Sequence, residues 1–160
     1  MNIYFIRHGD AEKISINKKD FDRELTSNGK IRVKNAVLGW NNYIDAFDYL
    51  ISSPLLRAKQ TASIIAEYFE VKNEIIISNK LTSGSLTSDI IEIANTLEAE
   101  NIAFVGHQPD FSEHLSNLIS SSYANIEFKK SAIAKVSFHN KVQLSRGVLE
   151  FLIPAGLFHK

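Results

Sequence analysis

A chain of 160 residues with 44% hydrophobic side chains can bury a sizeable core as one domain. Its 18 lysines and arginines balance 18 aspartates and glutamates, which leaves no global basic field for nucleic acid or an anionic membrane surface. It has no cysteine, which excludes disulfides, zinc thiolates and cysteine nucleophiles. That absence, with a first apolar run too short for a signal peptide, leads us to expect a cytoplasmic protein.

In chain order, the first element is the apolar run Ile3-Tyr4-Phe5-Ile6. It is too short for a helix and rich in β-formers, so it reads as a strand buried on both faces in a parallel sheet. Arg7, His8 and Gly9 follow at its carboxyl end, where such sheets bind ligands. A guanidinium can grip two phosphate oxygens in a fork, and an imidazole beside it can act as nucleophile or proton carrier. Gly9 is expected to let the backbone turn sharply. Residues 12–24 are polar and read as a solvated loop over that edge. Thr26 is placed to cap a helix whose apolar stripe is Val33, Val37, Trp40 and Ile44.

Phe47 to Ser53 reads as a second strand, ending in a Ser52-Ser53-Pro54 turn into a helix with Ala58, Ala62, Ile65 and Phe69 inside. Arg57 falls in the first turn of that helix, on the rim that carries His8. Ile75 to Ile77 is a short third strand, and 81–88 a Ser/Thr-rich loop around Gly84. Ile90, Ile93, Ala94 and Leu97 mark a third helix.

Ile102 to Val105 is a fourth buried strand, and Gly106-His107 after it repeats the plan of the opening. Asp110 is expected to cap the following helix, with Glu113 three residues on as in a capping box. Phe111, Leu115 and Leu118 should face inward. Ala132 to Phe138 and Val148 to Ile153 form an antiparallel hairpin at one end of the sheet. His114, His139 and His159 read as surface or packing residues. The alternation of strands and helices predicts an α/β three-layer α/β/α sandwich with a mostly parallel sheet.

Arg7-His8-Gly9, the run Ser53-Pro54-Leu55-Leu56-Arg57-Ala58-Lys59-Gln60-Thr61-Ala62, and Gly106-His107 together resemble the histidine phosphatase superfamily, the phosphoglycerate-mutase-like group. The short length, Asp10-Ala11 and Arg23-Glu24-Leu25-Thr26 resemble its SixA-type phosphohistidine phosphatases, with Glu24 where that subgroup usually has proline. The resemblance implies one catalytic domain over 1–160 and His8 as the nucleophile. It also implies that Arg7, Arg57 and His107 hold the phosphoryl oxygens, with Gly9 and Arg23 as further phosphate contacts. It implies no metal and no cofactor. The partner it implies is a phosphohistidine-bearing protein or a small phosphorylated substrate.

Two departures bear on substrate. Ala11 stands where many mutases and phosphomonoesterases have Ser or Thr. The stretch Leu81-Thr82-Ser83-Gly84-Ser85 has no carboxylate where many members carry a general acid; Asp89 is the nearest and belongs to a helix start. Three other readings compete: a metal-dependent phosphoesterase built on His8-x-Asp10 and His107-x-x-Asp110, a non-catalytic module that binds phosphoproteins, and a generic small-molecule phosphomonoesterase. Ile6 before the first pair, the lack of further His-Asp clusters, and two arginines that would repel a cation weigh against the first. A histidine nucleophile that binding does not need weighs against the second.

Overall fold

The computed structural model describes residues 1–158, so the reading of His159 lies outside the described residues. The first strand, β1 (Asn2–Arg7), shows why the sheet sits where it does. Ile3 and Phe5 point to one face and Tyr4 and Ile6 to the other, and all four are buried. A strand alternates its side chains across the sheet, so a strand apolar at every position must be covered on both sides.

The covering helices arrive in two pairs. Tyr4 and Ile6 pack with Val33, Val37 and Trp40 of α1 (Ser27–Trp40) and with Ala58, Ala62 and Ile65 of α2 (Leu56–Tyr68). Ile3 and Phe5 pack with Ile90 and Ala94 of α3 (Thr87–Leu97) and with Phe111, Leu115 and Leu118 of α4 (Asp110–Ile119). The result is a three-layer α/β/α sandwich.

The remaining strands are β2 (Tyr49–Ser52), β3 (Ile76–Ile77), β4 (Asn101–Gly106), β5 (Ile133–Ser137) and β6 (Val148–Ile153), in the spatial order β3-β2-β4-β1-β5-β6. β3, β2, β4 and β1 run parallel, and β5 and β6 close one side as an antiparallel pair. The register that matters is β1 on β4. Arg7 lies opposite Gly106, so the next residues of the two strands, His8 and His107, leave the sheet side by side. Ser52 lies opposite Val105, which puts Ser53 beside them.

Local expectations are met with some shifts. Thr26 caps α1 by accepting from the Gly29 N–H. Ile44 is buried beyond the end of α1 rather than within it. Phe47 is joined to Val71 by an isolated bridge and precedes β2. The capping box on α4 is corrected. Pro109 holds the N-cap position, and Asp110 is the first helical residue. The Ser112 N–H is shared between the Pro109 carbonyl and the Gln108 side-chain oxygen. The Asp110 carboxylate accepts from the Gly84 N–H and so anchors the loop before α3.

Candidate active site

At the carboxyl ends of β1 and β4 lies a cavity of about 180 Å³, lined by Arg7, His8, Ala11, Arg23, Arg57, Ser83, His107, Gln108 and Lys130. Register supplies the two histidines, whose ring centroids are 5.1 Å apart. The first turn of α2 supplies Arg57. Sequence motifs separated by about half the chain thus meet in one place because their strands are neighbours.

His8 is held through both ring nitrogens. Nδ1 lies 2.7 Å from the Gly9 carbonyl. A carbonyl can only accept, so the proton sits on Nδ1 and Nε2 keeps its lone pair. The Arg57 Nε–H donates to that Nε2 at 3.3 Å. Burial pushes the imidazole down to about 3, against an opposing pull from the Gly9 hydrogen bond; His107, Arg57 and Arg7 lower it further. His8 is therefore neutral at pH 7.

Gly9 fixes that geometry. Its N–H donates to Thr61 Oγ1, whose hydroxyl donates in turn to the Arg57 carbonyl. Both polar groups of Gly9 are thus used inside the protein, and it does not line the cavity. Nor does it adopt the left-handed backbone that a sharp glycine turn would need. It is glycine for want of room: a Cβ there would lie 2.6 Å from Val33 Cγ2.

His107 is wired the other way. Its Nε2 meets Ser53 Oγ at 2.7 Å, and its Nδ1 is buried without a partner. The Leu55 N–H already donates to Ser53 Oγ. When the hydroxyl hydrogen is given to Nε2, the ring proton sits on Nδ1 and makes that nitrogen a donor toward the cavity. Burial pushes this imidazole down to about 4, with the Arg57 charge adding to the effect.

Arg7 donates from Nη1 to the Phe128 carbonyl at 2.8 Å, while its Nε is buried without a partner. Among the described residues three buried side-chain polar atoms lack a partner, Arg7 Nε, Trp40 Nε1 and His107 Nδ1; two of these belong to residues lining this cavity. A buried donor left unsatisfied costs about 1–3 kcal/mol, so both atoms mark where an acceptor belongs.

The 12–24 loop is more than a solvated surface. Arg23 donates to the Glu12 carbonyl and to Asp20, and its side chain lines the cavity. Asp20 in turn meets Arg57. Lys130, also on the cavity wall, is paired with Asp10. Sequence reasoning missed Asp20, Ser53, Thr61 and Lys130. Ser53 and Thr61 lay inside a quoted motif, and their polarity within an apolar helix-and-strand context was the available signal.

The alternative carboxylates point elsewhere. Asp10 pairs with Lys130 and Asp110 with the Gly84 N–H, so the two His-Asp pairs do not converge. Among the described residues no three His, Asp or Glu side chains cluster as metal ligands. The residue that the 81–85 stretch sends to the cavity is Ser83. Asp89 lies in the first turn of α3 and pairs with Lys80. Of the other histidines, His114 is fully buried between the hydroxyls of Ser85 and Thr87, and His139 is exposed and does not line the cavity.

This is an α/β sandwich with a cationic, two-histidine anion pocket at the carboxyl edge of its sheet. The model of the histidine phosphatase superfamily (branch 1) matches residues 3–83, and the chain belongs to that family. An uncharacterized protein from Picosynechococcus sp. is 33% identical over 115 residues, 71% of this chain and 70% of that protein. Among solved structures, the protein histidine phosphatase SixA complexed with tungstate superposes with a TM-score of 0.88 at 20% identity, covering 99% of this chain and 100% of that one. A phosphoserine phosphatase from Entamoeba histolytica superposes with a TM-score of 0.73 at 18% identity, covering 96% of this chain and 97% of that one. These likenesses establish the fold. No helix among the described residues is long and apolar enough to cross a membrane.

Proposed function

We propose that the protein is a phosphohistidine phosphatase that works through a phospho-His8 intermediate. The observation that carries the reading is the lone pair of His8 Nε2, kept unprotonated by the Nδ1–Gly9 hydrogen bond and faced by the Arg57 Nε–H, in a cavity lined by Arg7, Arg23, Arg57 and Lys130. His8 Nε2 attacks phosphorus in line and the bond to the leaving group breaks. The ring of phospho-His8 then carries positive charge, which the Gly9 carbonyl at Nδ1 stabilises. Water next attacks phosphorus, the Nε2–P bond breaks, and His8 leaves as the neutral imidazole with inorganic phosphate as product. Arg7 Nε, His107 Nδ1 and the Arg57 side edge are the donors for the equatorial oxygens, where charge is spread in the transition state. The arginines supply that positive charge and would repel a metal cation.

Substrate class follows from the missing acid. An alkyl phosphate expels an alkoxide, which needs a proton from a positioned acid. No carboxylate lines the cavity. A phosphohistidine ring takes a proton at its other nitrogen near neutral pH, since imidazole titrates at about 6.5, and it departs as neutral imidazole. The partner on this reading is a protein with an exposed phosphohistidine.

The test compares kcat/KM for a phosphohistidine protein with that for simple alkyl phosphates, both in EDTA. The expected result is a preference for the phosphoramidate of at least about a hundredfold, consistent with the worth of general acid catalysis. Comparable values would overturn the substrate class and favour a small-molecule phosphomonoesterase. Loss of turnover in EDTA would overturn the metal-free mechanism.

A further inference from the structure

We infer that Asp20 is a positioning residue: it grips the far end of the Arg57 guanidinium and turns the remaining edge toward His8. The inference rests on the phosphatase reading above. Arg57 spends its donors in two directions. Nη1 donates to the Asp20 backbone carbonyl at 2.8 Å and Nη2 to the Asp20 carboxylate at 3.1 Å. Nε donates to His8 Nε2 at 3.3 Å. A guanidinium is planar and rigid, so two contacts on its Nη end fix the direction of its Nε edge. That edge faces the nitrogen on which the phosphoryl group forms. When phosphorus bonds to Nε2, the lone pair is consumed and Arg57 Nε–H passes to an equatorial oxygen without the side chain having to move far.

The same carboxylate reaches a second arginine. Asp20 Oδ1 accepts from Arg23 Nε at 2.8 Å, and Arg23 Nη2 lies 2.7 Å from it. One side chain therefore sets both guanidiniums, and it does so from outside, since Asp20 does not line the cavity. Its own backbone is held by a turn of 3-10 helix, Asp20–Asp22. Arg57 is 5% exposed at the side chain, against 51% for Asp20. A cation so buried needs a charged partner, and Asp20 is the partner the structure gives it.

Asp20 is poorly suited to be the missing acid. Burial would raise its carboxyl, but the Arg23 hydrogen bond and the Arg57 charge outweigh that and hold it below the usual carboxylate range. It stays ionised at neutral pH and has no proton to give.

The experiment measures Asp20→Asn and Asp20→Ala, each alone and combined with Arg57→Ala. Two readouts are used: steady-state turnover of a phosphohistidine protein, and calorimetric binding of inorganic phosphate to the folded protein. Asp20→Asn should lower kcat/KM about 10- to 100-fold, as small misplacements of a catalytic group do, with the loss mainly in kcat. Phosphate binding should weaken in the same variant. In the Arg57→Ala background each Asp20 change should cost much less than it does alone, since only its hold on Arg23 is then left to lose. Circular dichroism and thermal midpoints establish that the variants fold; Asn is isosteric, so it serves if Ala disturbs the loop. A normal kcat/KM in Asp20→Asn, or a loss of equal size when Arg57 is already gone, overturns the inference. A wild-type protein that turns over no phosphorylated substrate would overturn the phosphatase reading instead. Phosphate binding would then still decide whether Asp20 orients Arg57.

Discussion

His8 and His107 leave adjacent strands at the same level, each next to a glycine, yet they are wired in opposite senses. His8 gives Nδ1 to the carbonyl of its own neighbour, Gly9, and presents Nε2. His107 gives Nε2 to Ser53, which lies 54 residues away in sequence, and keeps Nδ1 free. The same local plan thus presents a lone pair, faced by the Arg57 Nε–H, at one strand end and a partnerless Nδ1 at the other. The difference lies in which nitrogen meets the fixed protein partner: the Gly9 carbonyl, which can only accept, sets the His8 tautomer, while His107 meets a hydroxyl that can donate to it. Burial holds both rings neutral at pH 7, so neither role depends on a charged imidazole in the free protein.

The sharpest way to break this comparison is to remove the lone pair. His8→Ala should lower turnover by at least about 10⁴-fold, the scale seen when a nucleophile is deleted. The ring sits where β1 leaves the core, so the variant should fold. Phosphate trapped on the protein after a quench without acid should vanish with it. Substantial residual turnover, or trapping that persists, would move the nucleophile to another residue.

A smaller effect is expected from Ser53→Ala, which loosens the second histidine alone. It frees His107 Nε2 and lets the ring proton move off Nδ1, so the donor is lost in part of the molecules. We expect kcat to fall about tenfold, less than the roughly 10²- to 10³-fold cost of deleting an oxyanion donor outright. Stability should fall by about 1–3 kcal/mol, the cost of an unsatisfied buried partner. A drop as large as that of His107→Ala would mean that Ser53 itself touches the phosphoryl group; unchanged kcat would mean that tautomer choice at His107 does not matter.

The least selective perturbation is pH, which acts on three buried rings at once. His8, His107 and His114 have folded-state values of about 3, 4 and 4, all below the value of about 6.5 of an unfolded histidine. Between those values the unfolded chain binds more protons than the folded one. Stability is therefore full above about pH 6.5 and is lost as pH falls toward 4, with a slope of up to about 1.4 kcal/mol per unit for each histidine. Urea midpoints at pH 7, 5.5 and 4.5 should decline in that order. A flat profile over that range would mean that these rings bind protons as readily in the folded state as in the unfolded chain, and the claim that burial holds them neutral would fall with it.

Much of this was legible from sequence. The apolar runs of β1 and β4, the stripes of α1 and α2 and the terminal hairpin depend on local periodicity, which a linear chain displays openly. The motif residues Arg7, His8, Arg57 and His107 follow strand ends, and strand ends share an edge once the sheet is parallel. Asp110 shows where that reasoning stops. It sits at a sequence position suited to capping, but its carboxylate serves Gly84, 26 residues earlier, and Pro109 holds the N-cap position in its place.

The sequence by itself determined the elements, the layer order and the side chains brought to the carboxyl edge, because those follow from short-range patterns of apolar and polar residues. Only the tertiary structure decided that Ser53 would take His107 Nε2, that Thr61 would hold the Gly9 peptide, and that Asp20 would hold Arg57 across 37 residues. Each of these is a choice among several polar groups within reach. The choice is made by strand register and by where a loop closes over the sheet, to a fraction of an ångström, and no pattern along the chain carries distances that fine.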